Sequence, residues 1–245
     1  MIFELSGSRL RVMGTLHLMP AGRALPAWVR SGYDWSEAVF IEHSPSEFLR
    51  LARLPDPVSH RGCSPAFRQL LSKTALGMPG VALEGFQRGA TVLLALASRA
   101  SANAVAGADQ ALHDWCRTDG KPFGYLEQAS QALQLLNAIE EEDWTPAIQA
   151  ETARTQTAAE QLRVFHDLWR KGRLAELAVL SREGLFSSET IRARLLTDRN
   201  RAWAAAYVDP PRRSLVAVGA AHLVGPGNFL ETLAAASGRS VRRIV

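Results

Sequence analysis

The feature that most restricts the fold of this chain is a short pattern that occurs twice, once near each end. In both places an apolar, strand-like run leads into Gly-x-x-His, with Gly14 and His17 near the start and Gly219 and His222 near the end. In an open α/β sheet, ligands bind where strands end, and a glycine there lets the chain turn sharply off the strand. The matched spacing therefore predicts that both ends of the chain enter one sheet and that the two histidines meet at its edge.

Other strand-like segments favour an α/β class. Apolar runs at Ala38–Ile41 and residues 123–126, and an alternating run at residues 240–245, have the length and residue types of strands. We predict an α/β fold whose central mixed sheet is formed from both chain ends and flanked by helices. A large helical insertion is expected in the middle, at about residues 64–210, interrupted by the short strand near 123–126. Because no low-complexity linker divides the chain, residues 1–245 are predicted to form a single domain.

Helical patterns fill most of the remaining sequence. Helices are predicted over six stretches, residues 21–31, 64–76, 87–106, 108–118, 189–207 and 228–237. A longer tract, residues 130–171, is expected to break at Thr145-Pro146, since proline removes a helical hydrogen bond. Gly238 follows the last stretch and is expected to end it in a left-handed conformation.

Composition excludes several classes of protein. With 47% hydrophobic residues and no apolar run of about 20, the chain has no candidate membrane span. It shows no signal peptide, and Cys63 and Cys116 lack metal or redox spacing, so both are expected to be buried free thiols in the cytoplasm. The net charge of +4 is small and the basic residues are scattered, so we expect no nucleic-acid partner.

Two carboxylates stand at positions equivalent to those of the histidines. Glu42 follows Ala38–Ile41, and Glu127 follows the strand near residue 125. Two imidazoles with one or two carboxylates are typical ligands of a catalytic divalent metal ion, here Mn, Co or Zn. Such an ion lowers the pKa of water, and a nearby carboxylate can act as general base. Taken singly, each residue also has an ordinary structural explanation, as a hydrogen-bonded core histidine or a surface carboxylate. Motifs for a serine hydrolase, a zincin or a nucleotide-binding loop are absent.

The motifs and their order resemble the TraB/GumN family, which includes the Tiki proteases and is related to the erythromycin-esterase/ChaN-like group. The resemblance is carried by residues 12–17, 39–42, 107–112, 126–128, 198–201 and 218–225. It implies a metal-dependent hydrolase in which His17, Glu42 and His222 are metal ligands or their close partners. By the same resemblance, Glu127 and Arg199 complete the pocket, with Arg199 stabilising an oxyanion.

Two further positions belong to this resemblance. Asp109 matches an aspartate of the family, with a helix-capping or helix-positioning role as one interpretation. Trp203 stands where the family commonly has methionine, which predicts a reshaped pocket wall. We therefore expect a divalent-metal-dependent hydrolase, a peptidase with a peptide or small-molecule substrate. The alternative is a module that binds haem, iron or a peptide without turnover.

Overall fold

The computed structural model describes residues 1–53, 63–75, 85–101 and 104–245. Its strands are, in chain order, β1 (Ile2–Leu5), β2 (Leu10–Thr15), β3 (Leu18–Pro20), β4 (Ala38–Ile41), β5 (Ala104–Ala106), β6 (Phe123–Tyr125), β7 (Ser214–Gly219) and β8 (Val241–Arg243). One sheet has the order β6–β4–β7–β2–β1–β8, and β3 pairs separately with β5. Strands β6, β4, β7 and β2 are parallel, whereas β1 is antiparallel to β2 and β8. The predicted α/β class, with a mixed sheet formed from both chain ends, is confirmed.

Helices surround this sheet and supply most of the middle of the chain. They are α1 (Ala27–Trp35), α2 (Pro45–Ala52), α3 (Pro65–Thr74), α4 (Arg88–Ser101), α5 (Ala108–Asp119), α6 (Ala129–Asn137), α7 (Glu141–Thr152), α8 (Ala158–Lys171), α9 (Leu174–Leu180), α10 (Glu189–Arg192), α11 (Asp198–Tyr207) and α12 (Phe229–Ser237). Short 3₁₀ turns occupy Gly184–Ser187 and Ala220–Leu223, and a π-helical segment, Ala193–Thr197, joins α10 to α11. Gly238 ends α12 with a φ of 65°, as predicted.

Three helix predictions need correction. The helix expected over residues 21–31 begins only at Ala27, because Pro26 precedes it and a residue before proline is disfavoured in a helix. The helix expected over residues 87–106 ends at Ser101, and Ala104–Ala106 is strand β5 instead. Its alanines favour a helix intrinsically, but antiparallel pairing with β3 gives their backbone groups partners in an extended form.

The break expected at Thr145-Pro146 is also wrong, since Pro146 lies inside α7. The tract 130–171 is interrupted instead on either side of α7, after Asn137 and after Thr152. Trp144, Ala147 and Ile148 are all buried on one face of α7. Burial of that apolar face outweighs the one hydrogen bond that proline removes.

The buried apolar residues form two clusters. The larger one surrounds the sheet and contains β7, which is buried along its whole length, together with Leu112 of α5 and Trp169 of α8. The Trp169 indole N–H donates to the carbonyl oxygen of Gly14 at 2.7 Å, so α8 packs directly on the first Gly-x-x-His motif. The second cluster lies among α2, α3, α4, α6 and α7 and includes Trp144. The helical middle of the chain therefore has apolar packing of its own.

Two expectations from composition can be compared with the structure. Cys63 and Cys116 are both buried and both free, as predicted. In the part of the chain that the structure describes, no helix is long and apolar enough to cross a membrane.

Candidate functional site

Four parallel strands end at one edge of the sheet, and a candidate residue follows each of them. Thr15, the last residue of β2, pairs with Gly219, the last residue of β7, while Ile41 of β4 pairs with Tyr125 of β6. His17, His222, Glu42 and Glu127 come one to three residues beyond these strand ends. The parallel register therefore places the four side chains together, as the sequence predicts.

Glu42 lies at the centre of this group. Its Oε1 atom is 3.6 Å from Nε2 of His17 and 3.6 Å from Nε2 of His222. The backbone N–H of Gly219 donates to the same oxygen at 2.7 Å. A Cβ atom at Gly219 would stand 3.1 Å from Nε2 of His17 and 3.2 Å from this carboxylate oxygen, so the glycine leaves room for their close approach. Both histidines therefore meet at one carboxylate.

His17 is held by the aspartate whose role the sequence left open. Asp109, in the first turn of α5, accepts a hydrogen bond from Nδ1 of His17 at 3.0 Å and one from the Thr15 hydroxyl at 2.8 Å. Nδ1 therefore carries a proton, and Nε2 faces Glu42. Burial lowers the pKa of His17, but the charge and hydrogen bond of Asp109 and the charge of Glu42 raise it to about 9. The imidazole still exposes 62% of its side-chain surface, so this side of the site is open.

His222 is held in a similar way but is buried. Its Nδ1 lies 2.7 Å from Oδ1 of Asn200, and the Asn200 amide nitrogen donates to the carbonyl of Gly227 at 3.0 Å. The amide oxygen must therefore accept from Nδ1–H of His222, which leaves a lone pair on Nε2. Burial, together with the charges of Arg199 and His17, lowers the pKa of His222 to about 3, so this imidazole is neutral at pH 7. Its ring packs against Trp203 at 4.8 Å.

Arg199 connects the two carboxylates. Its Nη2 donates to Glu42 at 2.6 Å and to Glu127 at 2.6 Å, and its Nε donates to Glu127 at 3.0 Å. Its Nη1 donates to the carbonyl of Leu195 at 3.1 Å and faces Nε2 of His222 at 3.3 Å. These contacts use all five N–H donors of the guanidinium. All three charged side chains are nearly buried, with exposed fractions of 11% or less.

The two glutamates differ in protonation behaviour. Burial acts to raise the pKa of Glu42, but the charges of Arg199 and the histidines and the Gly219 N–H hold it well below its ordinary range. Burial raises the pKa of Glu127, and the opposing effect of Arg199 does not cancel this. Glu42 is therefore a fixed anion, whereas Glu127 is the carboxylate of the two that accepts a proton more readily.

Comparison with known proteins identifies the family. The profile of the TraB/PrgY/gumN family matches residues 2–243, nearly the whole chain. This chain belongs to that family. No curated protein matches it, and no solved structure does.

In this TraB/PrgY/gumN protein the side chains at the site fit a divalent cation chemically. Both histidines have Nδ1 engaged by an oxygen acceptor and direct Nε2 at one carboxylate, the orientation usual for metal-binding histidines. Both Nε2 atoms lie 3.6 Å from the same oxygen of Glu42, so imidazole and carboxylate groups, which are common ligands of divalent ions, meet here. Among the described residues, however, no group of three or more His, Cys, Asp or Glu side chains forms a ready-made metal site. Metal binding is therefore a property that we propose for His17, Glu42 and His222.

Three other residues complete the surroundings of the site. Sequence reasoning gave no role to Asn200, although it follows Arg199 directly, because nothing in the pattern shows where its amide points. The sequence left the role of Asp109 open between a family aspartate and a helix-positioning residue, and the structure shows its carboxylate holding Thr15 and His17. Trp203 packs against His222, and the Arg199 guanidinium lies 4.5 Å from the centre of its ring.

Gly107 is predicted to be essential for the position of His17. A Cβ atom at Gly107 would lie 1.7 Å from the carbonyl oxygen of Leu16, which is backbone and cannot move independently. We expect Gly107→Ala to lower the free energy of unfolding by at least about 2 kcal/mol, measured by chemical denaturation. The matched control is Gly85→Ala, where no atom lies within 4 Å of the added carbon and the change should stay within about 0.5 kcal/mol. Equal losses in both variants would contradict this account of the junction between His17 and α5.

Proposed function

We propose that this protein is a divalent-metal-dependent hydrolase that cleaves peptide bonds. The observation that carries the proposal is the pair of oriented imidazoles, each with its Nε2 atom 3.6 Å from the same oxygen of Glu42. One of them, His17, is open to solvent, so a substrate can reach the site, while His222 is buried behind it. In a catalytic metal site, protein ligands of this kind leave one position open for water or substrate.

The ligands in this proposal are His17, Glu42 and His222, and the ion is Mn, Co or Zn, which mixed imidazole and carboxylate ligands suit. When bound, such an ion supplies Lewis acidity and makes water a better nucleophile at neutral pH. Asp109 and Asn200 fix the imidazole rings through Nδ1, so that both Nε2 atoms face the same oxygen of Glu42. An ion bound at His222 would displace the Nη1–H of Arg199 from the Nε2 lone pair. His17 must release a proton before it can bind a metal, because Asp109 and Glu42 raise its pKa to about 9.

The two glutamates have different roles in this proposal. Glu42 stays ionised and supplies a ligand oxygen, since its pKa is held well below its ordinary range. Glu127, whose pKa burial raises, is the general base that we assign to accept a proton from the attacking water. The N–H donors of Arg199 are all engaged within the site. We therefore assign Arg199 to offset the repulsion between the two carboxylates rather than to donate a hydrogen bond to an oxyanion.

The proposal is tested by metal content and peptide cleavage on the same preparation. The protein is stripped with a chelator, reloaded separately with Mn, Co or Zn, and incubated with a mixture of unstructured peptides that is analysed by mass spectrometry. We expect about one bound ion per chain and new peptide termini only in a reloaded sample. A preparation that never binds metal, or that binds it without cleaving any peptide, would refute the hydrolase proposal.

A non-catalytic binding module is the second candidate, and the Arg199 cluster favours it. The guanidinium already pairs with both Glu42 and Glu127, so each carboxylate has a cationic partner without a metal. In this case the same pocket would hold haem, iron or a peptide. Titration with haem would produce a Soret band, iron would remain bound through gel filtration, and captured peptides would be recovered uncleaved.

The proposed cellular location is the cytoplasm. Cys63 and Cys116 are free and buried in the fold, a state that reducing compartments preserve. Fractionation of cells that express the protein would test this, and recovery outside the cytoplasmic fraction would contradict it.

A further inference from the structure

An apolar groove lies beside the candidate site and has no part in the contacts described above. Its volume is about 280 Å³, and its walls come from α4, α8 and the segment that contains the 3₁₀ turn Gly184–Ser187. The lining is mainly aliphatic and aromatic, from Leu96, Ala97, Leu162, Phe165, Leu185 and Phe186. This volume is near the lower limit of about 300–1,000 Å³ for ligand pockets, and the apolar lining is typical of them.

The groove adjoins both Gly-x-x-His motifs. Leu18, which directly follows His17, lines it, and so does Ala221, which directly precedes His222. His17, whose imidazole is exposed, is therefore one residue away from the lining of the groove. A peptide whose scissile bond lies at the histidines can place a neighbouring side chain in the groove.

The far rim of the groove is held by one arginine that pairs with two glutamates. Arg154 donates to Glu183 at 2.8 Å and lies 3.5 Å from Glu151, so this cluster offers no unpaired cation. Gly184 has a φ of +57°, and a Cβ atom there would stand 1.7 Å from the Glu151 carboxylate, which packs the 3₁₀ turn tightly on α7. The rim carries a net charge of −1, which disfavours an anionic occupant.

We propose that this groove binds an uncharged apolar side chain of the substrate, next to the bond that is cleaved. The inference rests on the proposed peptidase function and adds its specificity: a leucine- or phenylalanine-like residue adjoins the scissile bond. The size of the groove fits one such side chain, and its walls offer apolar contact on several sides. The helical middle of the chain thus selects the substrate, while the strand ends supply the reacting groups.

Binding is tested without any need for turnover. The neutral apolar dye N-phenyl-1-naphthylamine is titrated into the full chain, and its fluorescence is then displaced by N-acetyl amino-acid amides. We expect the amides of leucine and phenylalanine to displace the dye at concentrations at least tenfold lower than those of glycine and aspartate. Ala97→Phe and Ala100→Phe, which fill the groove from α4, should each raise the Kd for the dye at least tenfold. Ala235→Phe, on the exposed face of α12, is the matched control and should leave the Kd unchanged.

The outcomes separate this inference from the hydrolase proposal. Absence of dye binding, equal displacement by glycine and leucine amides, or no effect of either filling variant would overturn the groove assignment whether or not the protein cleaves peptides. Displacement by decanoate but by none of the amides would overturn it as well, because the groove would then take an acyl chain. Leucine-selective displacement that both filling variants abolish supports the assignment even if no cleavage is found, in which case only the hydrolase proposal fails. Circular dichroism of each variant establishes that it is folded before the titration is interpreted.

Discussion

Replacement of Arg199 by methionine is expected to lower the free energy of unfolding by about 3–5 kcal/mol. Methionine keeps much of the length of the side chain but removes the charge and all five donors, so Glu42 and Glu127 are left as neighbouring buried carboxylates. Neither can be solvated where it stands, since each side chain exposes less than a tenth of its surface, at 7% and 9%. The measurement is chemical denaturation of the full chain, followed by a spectroscopic signal.

The neighbouring arginine supplies the control. Arg201 lies on the same helix, exposes 68% of its side chain and, among the described residues, forms an ion pair only with Asp198, at 3.4 Å. Arg201→Met should therefore change stability by no more than about 0.5 kcal/mol. In the Arg199→Met background, Glu127→Gln should restore part of the loss, because it removes one of the two unpaired charges. If Arg199→Met and Arg201→Met were equally stable, the buried cluster would not have the structural importance assigned to it.

The strand ends of the site were predictable from the sequence because their signals are local. A glycine at a strand end and a histidine three residues later can be identified without knowledge of the fold, and two copies imply one sheet. Glu42 and Glu127 were identified by the same rule, and the structure brings both to the site. The parallel pairing of β2 with β7 then brings the two motifs together, although 204 residues lie between Gly14 and Gly219.

What the sequence does not reveal depends on side-chain direction and on tertiary pairing. Asn200 holds His222 through one amide oxygen, and its neighbour Arg199 points to the carboxylates from the next position on the helix. Nothing in composition or periodicity shows which atoms of adjacent helical residues face the pocket. Strand β5 was predicted as helix for a similar reason, because its partner β3 lies more than 80 residues earlier in the chain. Pairing at such a distance overrides the preference of alanine for a helix.

The arrangement also separates two properties that usually change together, stability and reactivity. The first histidine is exposed and rests on Asp109, which keeps a second hydrogen bond from Thr15 whether or not the imidazole is present. The second is buried between Asn200 and Trp203. His17 and His222 therefore have matching positions at the site but are expected to contribute differently to the free energy of unfolding.

We expect His17→Ala and His222→Ala both to lower kcat/KM for peptide cleavage by about 10³-fold or more, because each removes one of the proposed metal ligands. Their effects on stability should differ. His17→Ala should lower the free energy of unfolding by no more than about 1 kcal/mol, since the side chain is 62% exposed. His222→Ala should lower it by about 2–4 kcal/mol, because it leaves the Asn200 oxygen without its partner and a cavity beside Trp203.

The control is His113→Ala, which removes a half-exposed histidine that contacts Asp114 and Phe123 and no residue of the site. It should retain both cleavage and metal content. Metal content of the His17→Ala protein then decides between the two roles available to this imidazole. A folded, stable protein that has lost metal and cleavage together indicates a ligand, whereas one that keeps its metal but not its activity indicates a group that acts on the substrate. A different outcome would be full activity in His17→Ala and loss of activity only in the destabilised His222→Ala. In that case the second motif supports the fold, and the paired Gly-x-x-His arrangement is not a catalytic centre.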